Sequence, residues 1–321
     1  MHVVMVTGIG GVVGQGILRN LRSLSLPLRI VGTNVERVSA GNHLCDAVHV
    51  LPYAWEPAYV AAVAALVGNE NVGLILPGTD HEADQLARHQ AMLGSKVAAA
   101  PAAVTAMCLD KWATWQAFSA AGLPFAASVL PADYRGQFGR VVVKPRAGRG
   151  SRGIHVDPPD PAAFDSSYVV QEYLDGPELT TGFYVRQDGA LHGAITLERE
   201  LQTGNTARCQ VIRQYDTQMH ALLERLVAIF PFRGSANLQS RVTSSGIVPF
   251  EINCRISGTN SIRAQLGFPD VAFTIDEWLL GVRPRPPAVI DGCALRVMLD
   301  VVYPGRSLSQ IDNRHDHFHL F

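Results

Sequence analysis

Val3–Val6 is a short apolar run that stops at Thr7-Gly8-Ile9-Gly10-Gly11, and apolar residues then recur at helical spacing at Val13, Ile17, Leu18 and Leu21. That pattern predicts strand, turn and helix in succession. Leu28–Gly32 and Ala47–Leu51 read as further strands, residues 57–67 as an alanine-rich helix, and Val72–Leu76 as a fourth strand running into Pro77-Gly78-Thr79-Asp80. Alternating β and α segments of this kind predict a doubly wound α/β unit of about 100 residues with a parallel sheet. Residues 98–101 close it.

Past Leu109 the pattern changes. Asp110 is placed to cap a helix carrying Trp112, Trp115 and Phe118 on one side as core, ended by Ala121-Gly122-Leu123-Pro124. Strands are expected at residues 140–144 and 168–174, then a hairpin of 180–186 with 191–197, a helix at 220–230, and a second hairpin of 234–242 with 247–256. If the second hairpin is symmetric about Ser245, Gln239 faces Glu251 and Asn237 faces Asn253. Because strand side chains alternate, Asn237, Gln239, Arg241, Glu251 and Asn253 then share one face, and Arg255 continues it. Ala236, Leu238, Val242, Val248, Phe250, Ile252 and Cys254 share the other, a core face. Hard oxygen donors on a rigid hairpin suit Mg2+, which takes one or two protein carboxylates or amides and completes its shell with phosphates and water.

Composition narrows the function classes. With 321 residues the chain has room for two or three compact units, and 47% apolar with 17% charged residues describes a soluble globular protein. A formal net charge of −1 advertises neither nucleic acid nor an anionic membrane. The five cysteines lie far apart and fit reduced thiols in a cytoplasmic protein, without a disulfide or zinc framework. No apolar run approaches the roughly 18 residues of a membrane span, and the first apolar segment reads as a strand rather than a signal peptide.

Three stretches carry candidate chemistry. Residues 7–14 spell T-G-x-x-G-x-x-G, a turn that lets a helix N-terminus approach a phosphate. A short-chain reductase would also need Y-x-x-x-K, and no tyrosine here is followed by lysine at that spacing; Glu36 is the only acid near the end of the second strand. VVVKPRAGRGSRGI sets Lys144 before a loop with Gly148, Gly150, Ser151 and Gly153, whose backbone N–H groups suit phosphate oxygens, with the lysine as a point charge. In VVQEYLDGPEL, main-chain groups of Glu172, Tyr173 and Leu174 suit a purine edge, and Glu178 suits ribose hydroxyls.

Taken in order, Lys111 before a helix, Lys144 before a glycine loop, Glu172-Tyr173-Leu174 with Glu178, and Gln239 with Glu251-x-Asn253-x-Arg255 resemble the ATP-grasp superfamily. More closely they resemble the carboxylate-amine ligases related to the carbamoyl phosphate synthase large subunit. The resemblance extends to the N-terminal segment, which looks like the Rossmann-like pre-ATP-grasp domain of those proteins. It implies an ATP-grasp fold, α/β and α+β, divided at 1–105, 106–178 (nucleotide lid) and 179–321 (metal and substrate part).

It also implies ATP with Mg2+, or Mn2+ in its place. Lys111 and Lys144 would hold the phosphates under the glycine loop, residues 172–174 the adenine and Glu178 the ribose. Gln239, Glu251 and Asn253 would carry the metal, and Lys144 with Arg255 would serve the phosphoryl group in flight. The implied reaction activates a small-molecule carboxylate as an acyl phosphate, which an amine or thiol then attacks. Arg263, Gly10, Gly11 and Asp80 are expected at the substrates, and Arg199 and Arg208 are further candidates. A homodimer is compatible with this reading.

Two positions depart from the family pattern: Cys254 replaces the proline of E-x-N-P-R and would put a thiol beside the site, and Gly258 stands where carbamoyl phosphate synthases carry arginine. The rival readings are an NAD(P)-dependent reductase, a non-catalytic nucleotide-binding regulator, and another ATP-dependent enzyme such as a kinase or carboxylase. His315, His317 and His319 are expected in a solvated tail.

Overall fold

The computed structural model describes residues 1–148 and 152–321, so Gly150 and Ser151 of the glycine loop lie outside the described residues. Strands β1 (His2–Val6), β2 (Leu28–Asn34), β3 (Ala47–Val50), β4 (Leu74–Leu76) and β5 (Lys96–Val97) form a parallel sheet in the order β3-β2-β1-β4-β5. Val3–Val6 of β1 and the whole of β4 read as unbroken apolar runs because both faces are covered. Val4, Val6, Ile30, Leu74 and Leu76 pack against Ile17, Leu18 and Leu21 of the helix Val12–Ser23. Met5, Val31 and Ile75 pack on the opposite face against Tyr59, Val63 and Val67 of the helix Tyr59–Glu70.

The glycine turn after β1 is shaped by this packing. Gly8 sits at φ +61°, and a Cβ at Gly14 would lie 2.5 Å from the Gly8 carbonyl oxygen. Only glycine lets helix and strand approach so closely.

A second, antiparallel sheet holds β6 (Ser128–Val129), β7 (Val141–Pro145), β8 (His155–Val156) and β9 (Tyr168–Glu172), in the order β6-β9-β7-β8. Its small core is Val141, Val143 and Val170. The third sheet contains β10 (Glu178–Val185), β11 (Leu191–Gln202), β12 (Asn205–Val211), β13 (Gly234–Thr243), β14 (Gly246–Asn253) and β15 (Cys293–Leu295), in the order β14-β13-β10-β11-β12-β15. One face of the third sheet buries Phe183, Val185, Ala236, Leu238, Ile252 and Cys254 against Met219, Leu223 and Leu226 of the helix Asp216–Ile229.

The helix Lys111–Ala120 is capped as expected, with Asp110 accepting from the backbone N–H of Trp112 at 2.9 Å. Its core residue is Phe118. Trp112 and Trp115 instead stack on each other at 4.8 Å on the half-exposed side, so they do not form helix core.

Strand β12, strand β15 and the helix Ala102–Leu109 were not expected. Strand β12 has only two buried residues, Thr206 and Cys209, so it lacks the apolar alternation that marks a strand. The C-terminal segment is held rather than loose: Ile311 is buried, Arg314 pairs with Asp46, and the Arg314 N–H donates to the Cys45 carbonyl at 2.9 Å. His315, His317 and His319 are nevertheless exposed. Among the described residues, no helix is long and apolar enough to cross a membrane.

Candidate active site

A cavity of about 420 Å3 opens where the three sheets meet, joined to an apolar slot of about 200 Å3. Lys144, Ile154, Leu201, Gln239 and Glu251 line both. Lys111 enters from the first turn of its helix and Lys144 from the end of β7. One residue set aligns them: Asp110 caps the helix and also pairs with Arg146, whose carbonyl accepts the Lys111 N–H at 3.0 Å. Helix start and loop start are thereby pinned together, and both lysines are buried in the cavity wall.

The Lys144 ammonium donates to the Phe250 carbonyl at 3.1 Å. Burial pushes its pKa down to about 8, with Lys111 repelling it and Glu251 and Glu178 opposing the shift. Burial works to raise the Glu251 pKa, but Lys111 and Lys144, with an Asn253 hydrogen bond, outweigh it and hold this carboxyl below its ordinary value.

Cross-strand register assembles the oxygen-rich face. Gln239 stands opposite Glu251 and Asn237 opposite Asn253, as the sequence suggests. Asn253 Nδ2 donates to Glu251 Oε1 at 3.3 Å, and Gln239 Nε2 donates to Asn253 Oδ1 at 3.2 Å. Glu178 lies between two arginines, with Arg199 at 2.7 Å from one carboxylate oxygen and Arg241 at 3.2 Å from the other. Arg199 also donates to Gln239 Oε1 at 2.7 Å, so one guanidinium couples Glu178 to the Gln239–Asn253–Glu251 row.

The slot is walled by Val142, Ile154, Val156, Leu201 and Phe250, with Glu172, Tyr173, Leu174 and Glu178 along its edge. The backbone N–H groups of Glu172 and Tyr173 are committed to the carbonyls of Ala127 and Arg140, at 2.8 and 2.9 Å. Leu174 N–H has no partner among the described residues.

Several expectations are corrected. Phe250 does not join the core face. A bulge at Gln239/Ser240 shifts β13 against β14, and Phe250 turns into the slot. Cys254 faces the other way, its thiol buried against the Val104 carbonyl at 4.0 Å and not beside the site.

Arg263 is fully buried away from the cavity, paired with Asp270 and donating to Ser257 Oγ at 2.7 Å, so it does not reach a substrate. Only the packing reveals the buried pair, because Asp270 comes from the next helix. Arg208 pairs with Glu200 on the exposed side of the sheet and is not at the cavity. Gly10 is outside the lining, whereas Gly8 and Gly11 are in it. Gly153 packs against the Pro145 ring, where a Cβ would lie 3.1 Å from Cγ, and is not among the lining residues; Gly148 is.

Asp80 and Arg255 do line the cavity, but bonded to each other at 2.6 Å. Arg296 is a lining residue that the sequence reading missed, since nothing in its local pattern separates it from a surface arginine.

The donor set fits Mg2+ only in company. Glu251 supplies a carboxylate and Asn253 and Gln239 supply amide oxygens, while among the described residues no cluster of three His, Cys, Asp or Glu is found. One carboxylate with two amides, beside two lysines, is a set that phosphate oxygens would complete.

The topology and this cavity define the class as the ATP-grasp fold. A family model described as the ATP-grasp domain matches residues 108–259, which span every lysine, glutamate and amide of the site named above except those of the N-terminal sheet. Among solved structures, N5-carboxyaminoimidazole ribonucleotide synthetase from Thermotoga maritima superposes with a TM-score of 0.71 at 14% identity, covering 94% of this chain and 81% of that one. The Thermus thermophilus enzyme of the same name gives 0.71 at 11%, covering 99% and 92%. The biotin carboxylase domain of Hydrogenobacter thermophilus 2-oxoglutarate carboxylase, solved with MgADP, ADP and bicarbonate, gives 0.70 at 16%, covering 88% and 70%. At these identities the likeness is one of fold. A comparison with curated protein sequences finds no match.

Proposed function

We propose that this protein is an ATP-dependent ligase that activates a small-molecule carboxylate as an acyl phosphate and passes the acyl group to an amine or thiol. The observation that carries the reading is the joined cavity: an apolar slot leading to two buried lysines and a single buried carboxylate flanked by amides. The slot offers adenine an apolar sandwich between Val142, Ile154 and Phe250, with the Leu174 N–H left for the base edge. Glu178, paired with two guanidinium groups, still has lone pairs for ribose hydroxyls. The proposed three-part division at 1–105, 106–178 and 179–321 puts the parallel sheet in the first part, the four-stranded sheet in the second and, but for Glu178, the six-stranded sheet in the third.

Lys111 and Lys144 would neutralise the triphosphate, and phosphoryl transfer needs such neutralisation and in-line positioning more than covalent help. Glu251, Gln239 and Asn253 would hold Mg2+, which when bound screens phosphate charge. Arg255, at the mouth of β14, would face the transferring phosphoryl group once that group competes with Asp80 for the guanidinium. No cysteine serves as nucleophile at the site, since Cys108 and Cys254 are buried in the core. Acyl phosphates hydrolyse readily, so the glycine loop, whose described residues Gly148 and Arg152 line the cavity, would exclude water during transfer.

The test is ADP release with Mg-ATP across a panel of carboxylic acids and amino acids, each with and without an added amine. Acid- and amine-dependent release supports the ligase. Tight NADPH binding with no release from any pair would overturn it in favour of a reductase.

A further inference from the structure

Beyond the phosphate-binding residues, the cavity continues between the N-terminal sheet and the segment 255–259, and Arg296 stands in its wall. Arg296 is held by two neutral partners only. Its Nε donates to the Thr206 carbonyl at 2.9 Å and its Nη2 to the Gly258 carbonyl at 2.8 Å. Nη1 has no partner among the described residues and is not among the sealed, unpaired polar atoms, so it keeps accessible surface on a residue that lines the cavity.

Of the other guanidinium groups of the cavity wall, Arg199 has Glu178 and Arg255 has Asp80 beside it, while Arg152 is exposed to solvent. Arg296 is half-buried and pairs with no acid among the described residues, and the guanidinium of Arg19 acts on it as a like charge. Arg19 lowers its pKa further after burial has already done so, and Arg19 pairs with no carboxylate among the described residues. A half-buried guanidinium with only carbonyl partners and a cationic neighbour is an uncompensated positive charge, and such a charge is stabilised by an anion arriving from the cavity.

We infer that Arg296 is a specificity-determining residue that binds a second anionic group, carboxylate or phosphate, on the small-molecule acid. This rests on the ligase reading for the identity of the site and names its substrate class: an acid with a second anion a short distance from the reacting carboxylate. Arg296 is anchored on the carbonyl of Gly258, three residues after Arg255, and both arginines line the same cavity. A Cβ at Gly258 would lie 3.8 Å from a Val12 methyl, so the start of the helix Val12–Ser23 borders this part of the cavity.

The experiment is calorimetric titration of the nucleotide-free full chain with propionate, succinate and 3-phosphonopropionate, in the wild type, R296K and R296Q. The inference expects succinate or 3-phosphonopropionate to bind at least tenfold more tightly than propionate, and the better of the two identifies the anion. R296K should retain part of that preference and R296Q should abolish it, while ATP affinity and the thermal midpoint of both variants stay near wild type. Equal binding of all three acids, absence of binding by any, or a preference that survives in R296Q overturns the inference. So does a loss of ATP affinity in R296Q, which would assign Arg296 to the nucleotide. Because the readout needs no turnover, a failed ligase assay and a failed anion preference are separate results.

Discussion

Asp80, at the first turn of the helix that follows β4, and Arg255, two residues past the end of β14, join their side chains at 2.6 Å across 175 positions of sequence. Both side chains are largely buried, and each keeps one polar atom, Asp80 Oδ1 and Arg255 Nε, without a hydrogen bond. This pair ties the N-terminal parallel sheet to the site hairpin.

Asp80→Asn should therefore loosen the junction and release Arg255. Removing one partner of a largely buried pair costs on the order of 2 kcal/mol, after allowance for the solvent that still reaches it. Denaturant unfolding would show the loss as a lower midpoint, and turnover with Mg-ATP should fall because Arg255 is no longer held. An unchanged midpoint would show that the pair carries no stability.

The pKa of Lys144, pushed down to about 8 by burial, makes nucleotide binding pH-dependent. A triphosphate favours the ammonium form, so ATP binding should take up a proton near and above pH 8, and affinity should fall as pH rises through that value. Stability has the opposite sign. With the folded pKa below the unfolded value, the unfolded chain binds more protons between pH 8 and about 10.4, and the contribution of Lys144 to stability rises with pH across that window. Calorimetry of ATP binding in two buffers of different ionisation heat measures the uptake; no difference between buffers at pH 8.5 would contradict it.

Glu251→Gln keeps the shape of the amide row but removes its carboxylate. Mg-ATP turnover is expected to drop at least 100-fold, on the order of 2.7 kcal/mol of transition-state stabilisation. The Lys144 pKa should move down further, since Glu251 supports its charge. Turnover at the wild-type rate would mean that the metal is held elsewhere.

Arg263→Ala should destabilise the fold by about 3–5 kcal/mol, because it strands the fully buried Asp270 carboxylate. Arg263→Ala combined with Asp270→Ala should be less damaging than Arg263→Ala alone. Equal damage in both would mean that the ion pair matters less than the volume it fills.

How much of this was legible in the chain differs by element. The apolar runs of β1, β2 and β4, the glycines at 8 and 14 and the cap at Asp110 announce themselves, because strand burial, close packing and capping are local demands on residue type. The pairing of Gln239 with Glu251 agrees with symmetry about Ser245, although the turn itself pairs Thr243 with Gly246, one residue out of that register, and the bulge at Gln239/Ser240 restores the match. The lysines and the E-x-N-x-R segment, read in order, carried the resemblance to the ATP-grasp proteins.

Only the tertiary structure decided the rest. A bulge one residue long turned Phe250 from core to slot, since alternation has a period of two and a single insertion reverses every side chain beyond it. Arg263, Arg255 and Arg296 look alike as letters, yet one is sealed against Asp270, one is bonded to Asp80, and one meets only carbonyl groups. The sequence by itself determined the strands of strong apolar pattern, such as β1, β2 and β4, and which residues could serve a nucleotide, but not β12 or β15. Which charges are compensated was settled by the fold, because an acid from far along the chain must arrive beside a base before either is neutralised.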